Sequence, residues 1–187
     1  PIFELEKPDC VLVYGDTNST LVGALVASKL QIPVAHVEAG LRTHDKWQPF
    51  PEEINRRIAG VTADMHFAPT DWSRDNLLRE GVDDNIIKVT GNTVIDALQF
   101  VSKQSEPQEI TQLVQEKLTS SKLILVTAHR RENFGKPMED ICHALKELSQ
   151  EAGVEIVYPV HLNPNVQEPV NRILKDVDHI TLLPPLD

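Results

Sequence analysis

The chain has 187 residues, 41% of them hydrophobic, enough for one ordinary globular domain or parts of two. Its 28 acidic and 18 basic side chains leave a net charge of −10, so no chain-wide basic surface can neutralise a phosphate backbone, which argues against nucleic acid as the partner. The longest apolar stretches, residues 21–27 and 123–128, fall short of the roughly 20 residues that a membrane-spanning helix needs.

The opening Pro1-Ile2-Phe3-Glu4-Leu5-Glu6 has neither the basic n-region nor the apolar h-region of a secretory signal, and no initiator methionine. Short β-branched runs then alternate with helix-length amphipathic segments, the pattern of βαβ units around a parallel sheet. Strands are predicted over 10–14, 33–37, 65–68 and 86–90, with helices over 20–30, 52–59, 71–80 and 93–101. Thr70 is the expected N-cap of the third of these helices, with Gly81 just past its end. Residues 102–121 begin without an apolar residue from Gln104 to Gln108 and continue with a weaker helical pattern through Ile110, Leu113 and Leu118, which marks a domain junction. Strands over 122–127, 155–160 and 179–183 and helices over 138–151 and 165–175 follow. The near-continuous apolar strands predict burial on both faces. Four strands before the junction and three after are few for two complete doubly wound sheets, so the expectation is a fragment short at both ends, inactive by itself. Cys10 and Cys142 match no metal or redox spacing and are expected as buried thiols.

In open parallel sheets, ligands bind at the carboxyl ends of strands, so polar residues just after an apolar run carry the chemistry. The first such place is Gly15-Asp16-Thr17-Asn18-Ser19-Thr20, where Asp16 is either a crevice carboxylate or a cap. The second is Glu38-Ala39-Gly40-Leu41-Arg42; Glu38 either pairs structurally with Arg42 or is tuned for proton transfer, and His36 reads as a packed histidine. In Pro49-Phe50-Pro51-Glu52-Glu53-Ile54-Asn55-Arg56, Pro51 opens a helix whose first turn holds two carboxylates, and the helix dipole alone accounts for at least one of them. The long loop before it carries Trp47, which either covers a site or packs on a neighbour. The strand over 122–127 runs into His129-Arg130-Arg131-Glu132-Asn133, the one concentrated cationic feature of the chain, suited to a phosphate or diphosphate. His161-Leu162-Asn163-Pro164 follows the next strand, with Asn163-Pro164 reading as the turn into a helix. The glycines form neither a dinucleotide fingerprint nor a P-loop, and the scattered histidines have no zinc-site spacing. Acidic groups in the first half and an anion-binding cluster in the second suit a phosphorylated substrate that undergoes proton transfer.

Taken together, Gly15-Asp16-Thr17, His36-Val37-Glu38-Ala39-Gly40-Leu41-Arg42-Thr43, Pro49-Phe50-Pro51-Glu52-Glu53-Ile54-Asn55-Arg56, Gly91-Asn92-Thr93-Val94-Ile95-Asp96 and Thr127-Ala128-His129-Arg130-Arg131-Glu132-Asn133 resemble the non-hydrolysing UDP-N-acetylglucosamine 2-epimerases. The resemblance runs nearly end to end. It implies an α/β chain of two Rossmann-like, doubly wound domains of the GT-B type, residues 1–104 and a nucleotide-binding 105–187, in a cytoplasmic homodimer that needs no cofactor or metal. It further implies interconversion of UDP-GlcNAc and UDP-ManNAc for surface polysaccharide synthesis, through loss of the C2 proton and elimination of UDP to a bound 2-acetamidoglucal. Carried over by position, Asp16, Glu38 and Glu52 are the acid/base carboxylates and His129 contacts the diphosphate, while Glu53 keeps its dipole role. Arg130, Arg131, Glu132, Asn133 and His161 are the substrate-binding candidates, with Arg130 and His161 near the activating UDP-GlcNAc site that some members carry. The family's site-bearing arginine loop would precede Pro1, and its serine and glutamate loop would follow Asp187. Rival readings are a hydrolysing epimerase, a GT-B glycosyltransferase, and a catalytically silent nucleotide-sugar-binding module.

Overall fold

Caps set the helix starts. Thr17 precedes α2 (Asn18–Lys29), where its hydroxyl accepts from Thr20 N at 3.3 Å. Thr70 does the same for α4 (Asp71–Arg79), accepting from Ser73 N at 3.1 Å, and Asn163 does so for α8 (Pro164–Leu174). The computed structural model that shows these caps describes residues 2–117 and 122–186. The chain folds as two compact units, Pro1–Gln104 and Ser105–Asp187.

The first unit starts with a short helix, α1 (Ile2–Glu6), and builds one sheet from β1 (Val11–Tyr14), β2 (Val34–Val37), β3 (Met65–Ala68) and β4 (Ile87–Val89). All pairings are parallel and the spatial order is the chain order, so every connection is a crossover. The crossovers are α2, α3 (Glu52–Thr62) and α4; α5 (Thr93–Val101) follows β4. Val13 and Val34 pack against Ala24 and Ala27 of α2 and Ala59 of α3, and these small side chains let the two helices approach closely. A second cluster, Ala39, Ala68, Leu77 and Ile87, fixes α4 on the other part of the sheet.

The second unit pairs β5 (Lys122–Leu125), β6 (Val154–Pro159) and β7 (Ile180–Leu183) in parallel, with α6 (Gln108–Lys117) before the sheet and α7 (Lys136–Leu148) and α8 as crossovers. Met138, Cys142 and Leu145 of α7 pack with Val166, Val170 and Leu174 of α8 around Ile156 and Tyr158 of the central strand. Burial pushes the Cys142 thiol up to about 11 and the Tyr158 hydroxyl up to about 12.

The α/β class and the parallel sheets are as expected, and α5 has the predicted bounds. Burial of every strand on both faces is corrected: Leu12 is 66% and Tyr14 51% exposed on edge strand β1, and β5 is largely open, whereas central β2 and β6 are the most enclosed. The apolar run could not show which strand faces a helix covers. Cys10 is also corrected, since it lies exposed at the entry to the edge strand. Of the helical pattern after the junction, Ile110 and Leu113 fall on α6, and Leu118 lies outside the described residues.

Candidate active site

The carboxyl end of β1 is held from several sides. Gly15 has a φ of +70°, a left-handed turn that glycine adopts at no steric cost, and its N–H donates to Val37 O at 3.0 Å. Its carbonyl accepts from His36 Nε2 at 2.8 Å, so the imidazole carries its proton on Nε2. His36 is buried, which pushes its pKa down against the opposing pull of the Gly15 carbonyl, and it is the packed histidine expected. Because Thr17 caps α2, Asp16 is free of that duty. Its backbone carbonyl accepts from Asn55 Nδ2 at 2.8 Å, and its carboxylate Oδ2 accepts from Arg56 Nε at 2.9 Å and lies 2.7 Å from Arg56 Nη2.

Glu38 follows β2 with a φ of +66°, an uncommon conformation for a residue with a side chain. The turn is tied down by Ala39 N donating to Phe67 O at 3.0 Å and by Asn76 Nδ2 donating to Gly40 O at 3.0 Å. Glu38 Oε1 accepts from Asn92 Nδ2 at 3.1 Å, and Asn92 Oδ1 in turn accepts from Val94 N at 3.0 Å as the cap of α5. Both ends of this amide are thus committed, which orients it toward Glu38. A Glu38–Arg42 pair does not form. Arg42, fully buried, instead forks onto Glu80, its Nε and Nη2 donating at 2.8 and 2.7 Å. That hydrogen bond holds the Glu80 carboxyl below its usual value.

Helix α3 brings its first turns to the Asp16 side of this sheet end. Glu52 stands at its first position with Oε2 buried and without a hydrogen-bond partner among the described residues. Glu53 lies in the first turn of α3, where the dipole reading puts it, and it is also a clamp. It is 0% exposed, accepts from Thr43 N and His44 N at 3.2 and 3.3 Å, and pairs with Arg56 and Arg57 at 3.3 and 3.5 Å. Trp47 of the preceding loop is exposed and packs on Phe50, ring centroids 5.6 Å apart.

In the second unit, the chain leaving β5 reaches His129, whose ring stacks on His161 at 5.0 Å and 22°. The Tyr158 hydroxyl, from the core, donates to Ala128 O at 2.8 Å and fixes the backbone just before His129. His161 Nδ1 accepts from Asn163 N at 3.0 Å, so this ring too carries its proton on Nε2. Arg130 and the 3₁₀ turn Arg131–Asn133 follow, with Arg130, Arg131 and Glu132 exposed, Asn133 half-buried, and Phe134 set against the core.

Asp16 and Glu38 therefore come to adjacent strand ends of one sheet, and His129 and His161 to adjacent strand ends of the other. Arg56, Asn92 and Tyr158, which support them, were not singled out from the sequence. For Arg56 and Asn92 signs were present: the i,i+3 spacing of Glu53 and Arg56, and the place of Asn92 just past a predicted strand.

A family model described as UDP-N-acetylglucosamine 2-epimerase matches residues 1–187. The UDP-N-acetylglucosamine 2-epimerase of Yersinia pestis is 54% identical over 193 residues, an alignment that spans 100% of this chain and 51% of the relative. That of Escherichia coli K12 is 52% identical over 194 residues, spanning 99% of this chain and 51% of the relative. Among solved structures, the Neisseria meningitidis UDP-GlcNAc 2-epimerase bound to UDP-GlcNAc superposes with a TM-score of 0.91 at 43% identity, over 99% of this chain and 51% of that one. The S. aureus MnaA–UDP structure gives 0.89 at 47% identity, over 100% and 50%. The chain thus spans about half the length of the curated relatives it matches. On the strength of a match along its whole length, this chain belongs to the UDP-N-acetylglucosamine 2-epimerase family.

Proposed function

We propose that this chain carries acid/base and diphosphate-contacting groups of an enzyme that interconverts UDP-GlcNAc and UDP-ManNAc. In this reading one carboxylate removes the C2 proton, the C1–O bond to UDP breaks, and 2-acetamidoglucal and UDP remain bound. Protonation of C2 on the other face and re-addition of UDP oxygen at C1 complete the epimerisation. Asp16, Glu38 and Glu52 are the candidates for the two facially opposed proton-transfer roles. His129, with Arg130 or Arg131, stabilises charge developing on the leaving diphosphate, and Glu132, Asn133 and His161 complete the nucleotide side in residues 105–187. The reading carries with it a cytoplasmic homodimer supplying surface polysaccharide synthesis, with UDP-GlcNAc also as activator near Arg130 and His161.

The observation that supports it most is the placement of Glu38: a carboxylate in left-handed backbone, aimed by Asn92 over the turn that presents Asp16. The test is incubation of the full-length protein with UDP-GlcNAc in deuterated water, followed by NMR. UDP-ManNAc labelled at C2 with little free UDP is the expected product, and Asp16→Asn, Glu38→Gln and Glu52→Gln each slow C2 exchange by about 10²- to 10⁴-fold. Bound nucleotide sugar that keeps its C2 proton overturns the proposal. Free UDP rising in step with ManNAc identifies a hydrolysing enzyme instead.

A further inference from the structure

Glu53 is the most enclosed carboxylate of the first unit's sheet end, yet the chemistry just described does not use it. Its two oxygens face four groups: the backbone N–H of Thr43 and of His44, and the guanidinium groups of Arg56 and Arg57. Of these, only Arg56 reaches onward. Its Nη1 donates to Glu53 Oε2 at 3.3 Å while its Nε and Nη2 meet Asp16 Oδ2 at 2.9 and 2.7 Å. One planar guanidinium thus spans two carboxylates, and its rigid fork transmits the position of one to the other. Asn55, on the same helix turn, holds the Asp16 backbone carbonyl at 2.8 Å, so the backbone of Asp16 is fixed independently of its side chain.

We propose that Glu53 and Arg56 are a positioning pair that sets the aim of the Asp16 carboxylate and links it to the seating of the loop at Thr43 and His44. The inference rests on the reading of Asp16 as an acid/base carboxylate. Glu53 touches neither Asp16 nor a reacting atom; it orients Arg56, and Arg56 orients Asp16. Exposed pairs such as Arg74–Asp84 reach no site residue, whereas this one lies between a buried anion and a strand-end carboxylate. Small misplacements of a catalytic group cost rate far more than binding, which separates such a role from simple support of the fold.

The experiment compares full-length wild type, Glu53→Gln and Arg56→Lys for C2 deuterium exchange, KM and melting temperature. Each variant is expected to lose about tenfold or more in kcat with KM within about twofold. In an Asp16→Asn background, Glu53→Gln is expected to add no further loss, because its effect runs through the group already removed. A kcat within about twofold of wild type, a loss that multiplies with Asp16→Asn, or KM rising in step with a falling melting temperature overturns the proposal. Should Glu53→Gln fail to fold, Arg56→Lys, alone and with Asp16→Asn, decides by the same criteria. Wild-type protein that exchanges no C2 proton refutes the functional reading itself, which is a different outcome from active wild type with unaffected variants.

Discussion

The carboxylate of Glu38 lies over Gly15: a Cβ on Gly15 would stand 3.3 Å from Glu38 Oε2. Two features thus restrict position 15, its left-handed backbone and the side chain above it. Gly15→Ala is expected to lose about 1–2 kcal/mol of stability from the backbone alone. It also makes the Glu38 carboxylate give way by a few tenths of an ångström, so C2 exchange falls further than the melting temperature implies. Thermal denaturation beside an exchange assay checks both, and an alanine variant with full exchange would count against the contact.

The stacked His129 and His161 rings give a second expectation, on ligand affinity. His161→Ala removes the ring against which His129 rests, an aromatic contact of about 0.5–1.5 kcal/mol. UDP is expected to bind about 2- to 10-fold more weakly to the full-length variant, with no change in melting temperature beyond a degree or two. Calorimetric titration with UDP is the check. Unchanged affinity would detach His161 from the nucleotide.

Acid should destabilise the first unit through His66. Burial, aided by the nearby His36 imidazole and the Arg42 guanidinium, pushes His66 down to about 4, whereas an unfolded imidazole titrates near 6.5. Between these values the unfolded chain binds more protons than the folded one, so stability is full above about pH 6.5 and falls as pH drops toward 4. Lowering the pH from 7 to 5 is expected to remove about 2 kcal/mol through this group, with His36 acting in the same direction. His66→Leu should flatten that part of the profile in urea titrations at the two pH values.

The Arg42–Glu80 fork predicts a stability effect without a catalytic one. Glu80→Gln leaves a fully buried guanidinium facing a neutral amide. Losing a partner costs about 3–5 kcal/mol for a fully buried pair, and solvent at Glu80, whose side chain is 36% exposed, reduces this to about 1–2 kcal/mol. A lowered melting temperature with unchanged kcat is the expected result.

Local rules made much of this legible. Thr70 was readable as a helix start because a cap acts within three residues, whereas Asn163, read as a turn, is the cap of α8; Asp16 and Glu38 stood out because each follows a strand. Partner choice was not legible. Arg42 has Glu38 four residues back but pairs with Glu80, 38 residues away, and Glu38 takes its hydrogen bond from Asn92, 54 residues away. Such pairings are decided by which strand ends the sheet order sets side by side. The same holds for burial: the apolar letters of β1 and β2 look alike, yet on β1 Val13 packs against α2 while Leu12 and Tyr14, on the opposite face, stay open.

The left-handed backbone at Glu38 bears on how this protein would respond to selection in the laboratory. A residue with a side chain gives up about 1–2 kcal/mol there that glycine would keep. Glu38→Gly would relieve that backbone cost, at the loss of the Asn92 hydrogen bond and of the carboxylate that the proposed chemistry uses. A library screened for heat resistance alone would tolerate that change, and one screened for turnover would discard it, so the two kinds of fitness diverge at a single codon.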